Sequence, residues 1–141
     1  MQYSINENHI IFSFKYSISN KKYTLNEVLN GKDKCNKVMQ KLFEKFEELS
    51  KITWKELRNR PKETGYEMIP ISEFKVSLEN IKKELNLSDD SKIIVFRFNN
   101  QKSRMLGVQS SEYDAILYVI GYDWDFSAYN HGSWYFTFIF C

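Results

Sequence analysis

The chain has 141 residues, 43% of them apolar and 27% charged, with 5 Gly, 2 Pro and a formal net charge of +2. Composition excludes intrinsic disorder, and a chain of this length buries roughly two-thirds of its unfolded surface, enough for a core without metals or disulfides. The charge is lower than a dedicated nucleic-acid binder carries, and it is unevenly spread: residues 1–62 hold 13 Lys/Arg against 7 Asp/Glu, residues 63–141 hold 7 against 11.

Aromatic residues make up 16% of the chain, which favours strands and a mixed or β-rich core over a helical bundle. The two cysteines, Cys35 and Cys141, follow no secretory pattern, so the expectation is a reducing cytoplasm without disulfides. The longest apolar runs, Ile93–Phe98 and Trp134–Phe140, fall far short of the ~18 residues a membrane helix needs. No repeat or linker divides the chain, and one domain over residues 1–141 is expected.

In chain order, Phe12, Phe14, Tyr16 and Ile18 alternate with Ser13, Lys15 and Ser17, the pattern of a half-buried strand. Thr24 and Glu27 have capping-box spacing and open a short helix, which Asn30-Gly31 ends. From Lys34 to Ser50 the apolar positions Cys35, Val38, Met39, Leu42, Phe43, Phe46 and Leu49 follow helical spacing. Thr53 and Glu56 repeat the capping box before a second short helix to about Arg58, ended by Pro61. Residues 66–76 read as extended, with Pro70 marking an edge position, and Ser77–Leu87 as a short helix. Three strands follow, Lys92–Phe98, Arg104–Gln109 and Ala115–Tyr122, whose short polar connections predict an antiparallel meander. The last apolar run, Trp134–Phe140, is expected to be covered by the fold or by a partner, because an exposed strand of this kind aggregates.

Walker A, GxGxxG, GxSxG and CxxC motifs are absent, and His9 and His131 are the only histidines, so no cofactor or metal is implied by a motif. The chemistry that remains lies in the β-rich part. Arg97 interrupts the apolar strand Val95–Phe98 and Arg104 opens the next. If these strands form a hairpin, both guanidinium groups lie near one end, where they can bind a phosphate bidentately or stabilise a phosphorane. Equally, each can pair with an acid such as Asp114, Asp123 or Asp125. Tyr129 and His131 are candidates for the acid and base that flank a phosphate in RNA cleavage through the ribose 2′-hydroxyl. Against that stands the plain reading of His131 as a loop residue bonded to backbone. His9 reads as structural. Lys34, Lys37, Lys41 and Lys45 form a basic row on the long helix, suited to a phosphate backbone or an acidic partner, although Glu44, Glu47 and Glu48 share its turns. Lys102, between the arginine strands, is a further candidate RNA contact. Trp54, Trp124 and Trp134 can stack on bases or pack in the core, and core packing is expected for at least two.

Phe96-Arg97-Phe98, Arg104-Met-Leu-Gly107, Ile116-Leu-Tyr-Val-Ile120 and Asp123-x-x-Phe126-x-x-Tyr129, preceded by the helical segment Leu42–Leu57, form a cadence over about two-thirds of the chain. It resembles the RelE/ParE superfamily of bacterial toxin–antitoxin systems. The resemblance implies an α+β fold with an N-terminal strand and helices packed on an antiparallel meander. It also implies a small mRNA interferase that cleaves RNA without metal, often on the ribosome, and is silenced by an antitoxin protein. Arg97 and Arg104 would then contact the scissile phosphate, and Tyr129 or His131 would take the C-terminal acid/base position. The tail 133–141 could add a strand, form a homodimer contact or receive an antitoxin segment. The competing expectation is a non-catalytic protein-binding module of a phage or mobile element, acting through the aromatic tail or the lysine row.

Overall fold

The computed structural model describes residues 9–30 and 36–130. The expected tail strand, His131, Lys34 and both cysteines lie outside the described residues. The architecture is mixed α+β, built on a five-stranded sheet. Its strands are β1 (Ile11–Ser13), β2 (Glu67–Pro70), β3 (Lys92–Phe98), β4 (Ser103–Gln109) and β5 (Ile116–Asp123). They lie in the order β1-β5-β4-β3-β2, with β3, β4 and β5 forming the expected antiparallel meander. β2 adds to it antiparallel at one edge, and β1 pairs parallel to β5 at the other. Pro70 sits at the end of edge strand β2, where its missing N–H removes no ladder bond from a central strand.

The helices are α1 (Leu25–Asn30), α2 (Asn36–Ser50), α3 (Trp54–Arg58) and α4 (Glu79–Leu85). α3 starts where its capping box predicts: the Thr53 hydroxyl oxygen accepts the Glu56 N–H at 3.0 Å. At Thr24 the same spacing gives a different bond, because the hydroxyl donates back to the Lys21 carbonyl at 2.7 Å across a 3-10 turn. α4 ends on Asn86 in the left-handed region, φ 54°, a conformation that Asn tolerates better than most residues.

Both faces of the sheet are covered, so the central strands are apolar on both sides. Val38, Leu42 and Leu49 of α2, with Trp54 and Leu57 of α3, pack on Ile94, Phe96, Met105 and Leu117. On the opposite face Ile18, Ile71, Leu78, Ile81 and Ala128 cover Ile93, Val95, Leu106 and Ile120. Trp54 and Trp124 are core residues, their indole N–H groups donating to the carbonyls of Ala115 and Thr24. The backbone of His9 forms an isolated antiparallel bridge with Thr53.

The first strand departs from its alternating pattern. Only residues 11–13 pair with β5; the chain then leaves the sheet and rejoins it through the Ile18 N–H to the Ile120 carbonyl at 2.8 Å. Phe12 therefore joins the core beneath α2 and Ile18 joins the other core, while Phe14 is 60% exposed. No single strand face exists over 12–18 because the ladder that would impose it stops at Ser13.

Candidate functional site

Strand pairing brings the arginines together. Arg97 and Arg104 are register partners across β3 and β4, and Arg104 is in turn paired with Asp123 of β5. Glu67 pairs with Val95, two residues before Arg97, so the period-2 pleat places its side chain on the same face. The fourth component comes from the segment after β5. Asp123 is fully buried and its carboxylate accepts the Ser127 N–H at 3.0 Å and the Ala128 N–H at 3.2 Å. This turns residues 124–130 back across the sheet, where the Ala128 carbonyl accepts the Lys75 N–H at 2.7 Å and Tyr129 bridges to Phe74.

The result is a polar cluster at the end of the second core. Arg97 reaches Glu67 Oε1 with Nη2 at 3.5 Å, and Gln101 Oε1 with Nη1 at 3.0 Å; Glu63 lies at 4.0 Å. Tyr129 donates its hydroxyl to the same Glu67 oxygen at 3.4 Å and also interacts with Arg104. Arg104 donates through Nη1 to the carbonyls of Gln101 at 2.6 Å and Ser103 at 3.2 Å. Its guanidinium carbon stands 4.5 Å from the centre of the Phe126 ring, a cation–π contact. Phe126 holds φ 59°, which is strained for an aromatic residue and is retained because the Asp123 cap and the Arg104 contact define its position.

Burial sets the electrostatics. Arg104 is 5% exposed, and desolvation, with a smaller contribution from Arg97, lowers its pKa from the usual guanidinium value. Tyr129 is 4% exposed; desolvation and then Glu67 hold its phenol above the usual tyrosine range, so it stays protonated at neutral pH. Two like charges face each other directly across the hairpin, a destabilising arrangement that Glu67 and the carbonyl acceptors offset. The Nε of each arginine is buried with no acceptor among the described residues.

No protein-family model, curated protein or solved structure matches the chain.

The structure thus unites Arg97, Arg104 and Tyr129. The acids beside Arg97 are Glu67 and Glu63, whereas Asp125 pairs with Lys22 at 3.2 Å. Asp123 lies opposite Arg104 in register, and its two oxygens accept the Ser127 and Ala128 N–H groups. The lysine row divides. Lys37 is exposed, Lys41 is exposed and paired with Glu44, and Lys45 is 7% exposed and paired with Glu48, so Lys45 takes no place in a solvent-facing row. Its stem lies on the core side of α2, beside Leu42 and Leu49, where helical rotation puts it. Lys102 is exposed on the β3–β4 turn beside the cluster. Glu67, Gln101 and Phe126 are the members that sequence reading did not nominate. Glu67 shares a strand face with Ile69, a charge on an otherwise apolar face and so a usable signal, but only the β2–β3 register aims it at an arginine 30 positions away. Among the described residues no group of three or more His, Cys, Asp or Glu side chains could hold a metal ion, and no helix is long and apolar enough to cross a membrane.

Proposed function

We propose that the chain is a toxin-type endoribonuclease whose own side chains carry the reaction. The observation that supports this is the convergence of Glu67 and Tyr129, 3.4 Å apart, beside the Arg97–Arg104 pair. Cleavage by transesterification needs a base for the ribose 2′-hydroxyl, an acid for the departing 5′-oxygen and positive charge for the phosphorane. Glu67, the more exposed member of the acid–base pair, takes the 2′-hydroxyl proton. Tyr129, held protonated by its surroundings, gives a proton to the 5′-oxygen as the P–O bond breaks. Arg97 and Arg104 carry the charge that develops on the phosphate. DNA, lacking the 2′-hydroxyl, is not a substrate. The RelE-like cadence points the same way, with mRNA as the target, on or off the ribosome, and an antitoxin protein as the silencing partner.

The test is cleavage of end-labelled single-stranded RNA by the purified chain in EDTA, with the product termini identified. A 2′,3′-cyclic phosphate, resistance of a site-specific 2′-deoxy substrate, and loss of cleavage in Glu67→Gln and Arg97→Ala are expected. Cleavage by Glu67→Gln at the rate of the intact chain refutes the assignment. A second reading, a protein-binding module, is favoured by one observation: Phe14 and Phe43 are 60% and 59% exposed, Phe14 with its ring 5.7 Å from that of the half-buried Phe46 and Phe43 three residues before Phe46 on α2. Under that reading Phe14→Ser/Phe43→Ser abolishes partner binding and Arg97→Ala is silent.

A further inference from the structure

We infer that Gln101 is an internal occupant of the phosphate site: the β3–β4 turn holds both arginines in the resting chain, and a phosphodiester displaces it. This rests on the reading of Arg97 and Arg104 as phosphate ligands.

The turn residue itself is the first observation. The Lys102 N–H donates to the Asn99 carbonyl at 3.0 Å, and the central residues have φ 53° at Asn100 and 69° at Gln101. Positive φ at both central positions is the type I′ arrangement, whose ordinary occupants are Asn followed by Gly. Asn100 suits its place. Gln101 stands where glycine would avoid the strain of a Cβ, and Asn99 before it is left-handed as well, φ 54°.

What Gln101 touches explains why a side chain is held there. Its Oε1 accepts from Arg97 Nη1 at 3.0 Å, its Nε2 donates to the Glu63 carbonyl at 3.3 Å, and its own carbonyl accepts from Arg104 Nη1 at 2.6 Å. One residue thus supplies an acceptor to each guanidinium of the cross-strand pair, as two oxygens of one phosphate would. Both acceptors are neutral amide oxygens, which a charged phosphate oxygen surpasses on a guanidinium. The buried Nε of each arginine, without an acceptor among the described residues, can supply the second prong of a bidentate contact once the turn moves. Asn100, Gln101 and Lys102 are all exposed, so the displaced turn moves into solvent and sheds its left-handed strain.

The experiment measures binding of a short 2′-O-methylated oligouridylate, which cannot be cleaved, to the full chain by fluorescence anisotropy at fixed salt. Gln101→Gly removes the side-chain occupant and suits the turn. Gln101→Asn keeps tolerance of the left-handed region but is one methylene too short to reach Arg97 and Glu63 together. Both variants are expected to bind about tenfold more tightly than the intact chain, a difference of about 1.4 kcal/mol. Adding Arg97→Ala to either should erase the gain. If both bind no more tightly than the intact chain while Arg97→Ala alone weakens binding, Gln101 is no occupant and the phosphate reading stands. If the intact chain, Arg97→Ala and both Gln101 variants bind alike or not at all, the phosphate reading itself fails. Should Gln101→Gly lower the unfolding midpoint, Gln101→Asn decides.

Discussion

Replacing Asp123 tests how the cluster is held. Its carboxylate is fully buried and serves two backbone donors, Ser127 N–H at 3.0 Å and Ala128 N–H at 3.2 Å. A hydrogen bond to a charged group is worth about 1.5–3 kcal/mol, so losing two sets a gross loss of about 3–6 kcal/mol. Part of this is returned because the substitution also removes a buried charge. For Asp123→Ala the expected net destabilisation is about 3 kcal/mol, a large share of the roughly 5–15 kcal/mol that holds a domain together. Asp123→Asn keeps one acceptor but turns an amide N–H toward the other donor, and should lose about 2 kcal/mol. Urea unfolding followed by circular dichroism and by tryptophan emission, to which the adjacent Trp124 contributes, gives both values, provided the m-value is unchanged. The segment 124–130 positions Phe126 and Tyr129, so a red-shifted emission should accompany the loss. A destabilisation below about 0.5 kcal/mol for Asp123→Ala, within the range of ordinary surface changes, refutes the claim that this carboxylate anchors the returning segment.

The two arginines should separate in stability. Arg97→Ala, at a partly accessible site whose partners can turn to water, is expected to cost about 1 kcal/mol, and Arg104→Ala, which takes this donor from the buried Ser103 carbonyl and the part-buried Gln101 carbonyl, about 2–4 kcal/mol; equal losses in chemical unfolding contradict the burial argument. Burial raises the Tyr122 phenol from 10.0 to about 12 and raises Tyr129 as well. The unfolded chain therefore ionises first: stability is complete below pH 10 and falls above it by about 1.4 kcal/mol per pH unit for each tyrosine. Tyr122→Phe should flatten the decline between pH 10 and 12, measured as urea midpoints, and an unchanged slope overturns the assignment. Gly121→Ala would set a Cβ 2.8 Å from the Tyr23 carbonyl oxygen and 2.8 Å from Ile18 Cδ1. Because backbone must shift, a loss of about 2–3 kcal/mol is expected in thermal or urea unfolding, and a neutral result shows that the 3-10 turn at Lys21–Tyr23 yields freely.

Much of the fold was legible because local rules and tertiary packing agree there. Lys92–Phe98 is a strand over the predicted span, α2 follows its apolar spacing through Ser50, and Thr53 caps α3. Where they disagree, packing prevails. Phe12 to Ile18 alternates like a strand, yet only three residues pair, because after Ser13 the chain moves away from β5. Lys45 falls at a spacing that reads as a basic row, yet α2 turns it toward the core beside Leu42. The site shows the same division. Arg97 and Arg104 stood out as charges within apolar strands, and a short connection was enough to imply that they meet.

The sequence by itself determined the α+β class, the order of helices and strands, the meander and the adjacency of its two arginines, since each depends on periodicity, capping or a turn of a few residues. Only the tertiary structure decided that β1 runs parallel to β5, that Glu67 rather than an aspartate faces Arg97, and that Gln101 occupies both guanidinium groups. These are contacts between segments far apart in the chain or made by a strained turn. Their register follows from how two cores are packed on one sheet, a property that no local window of residues encodes.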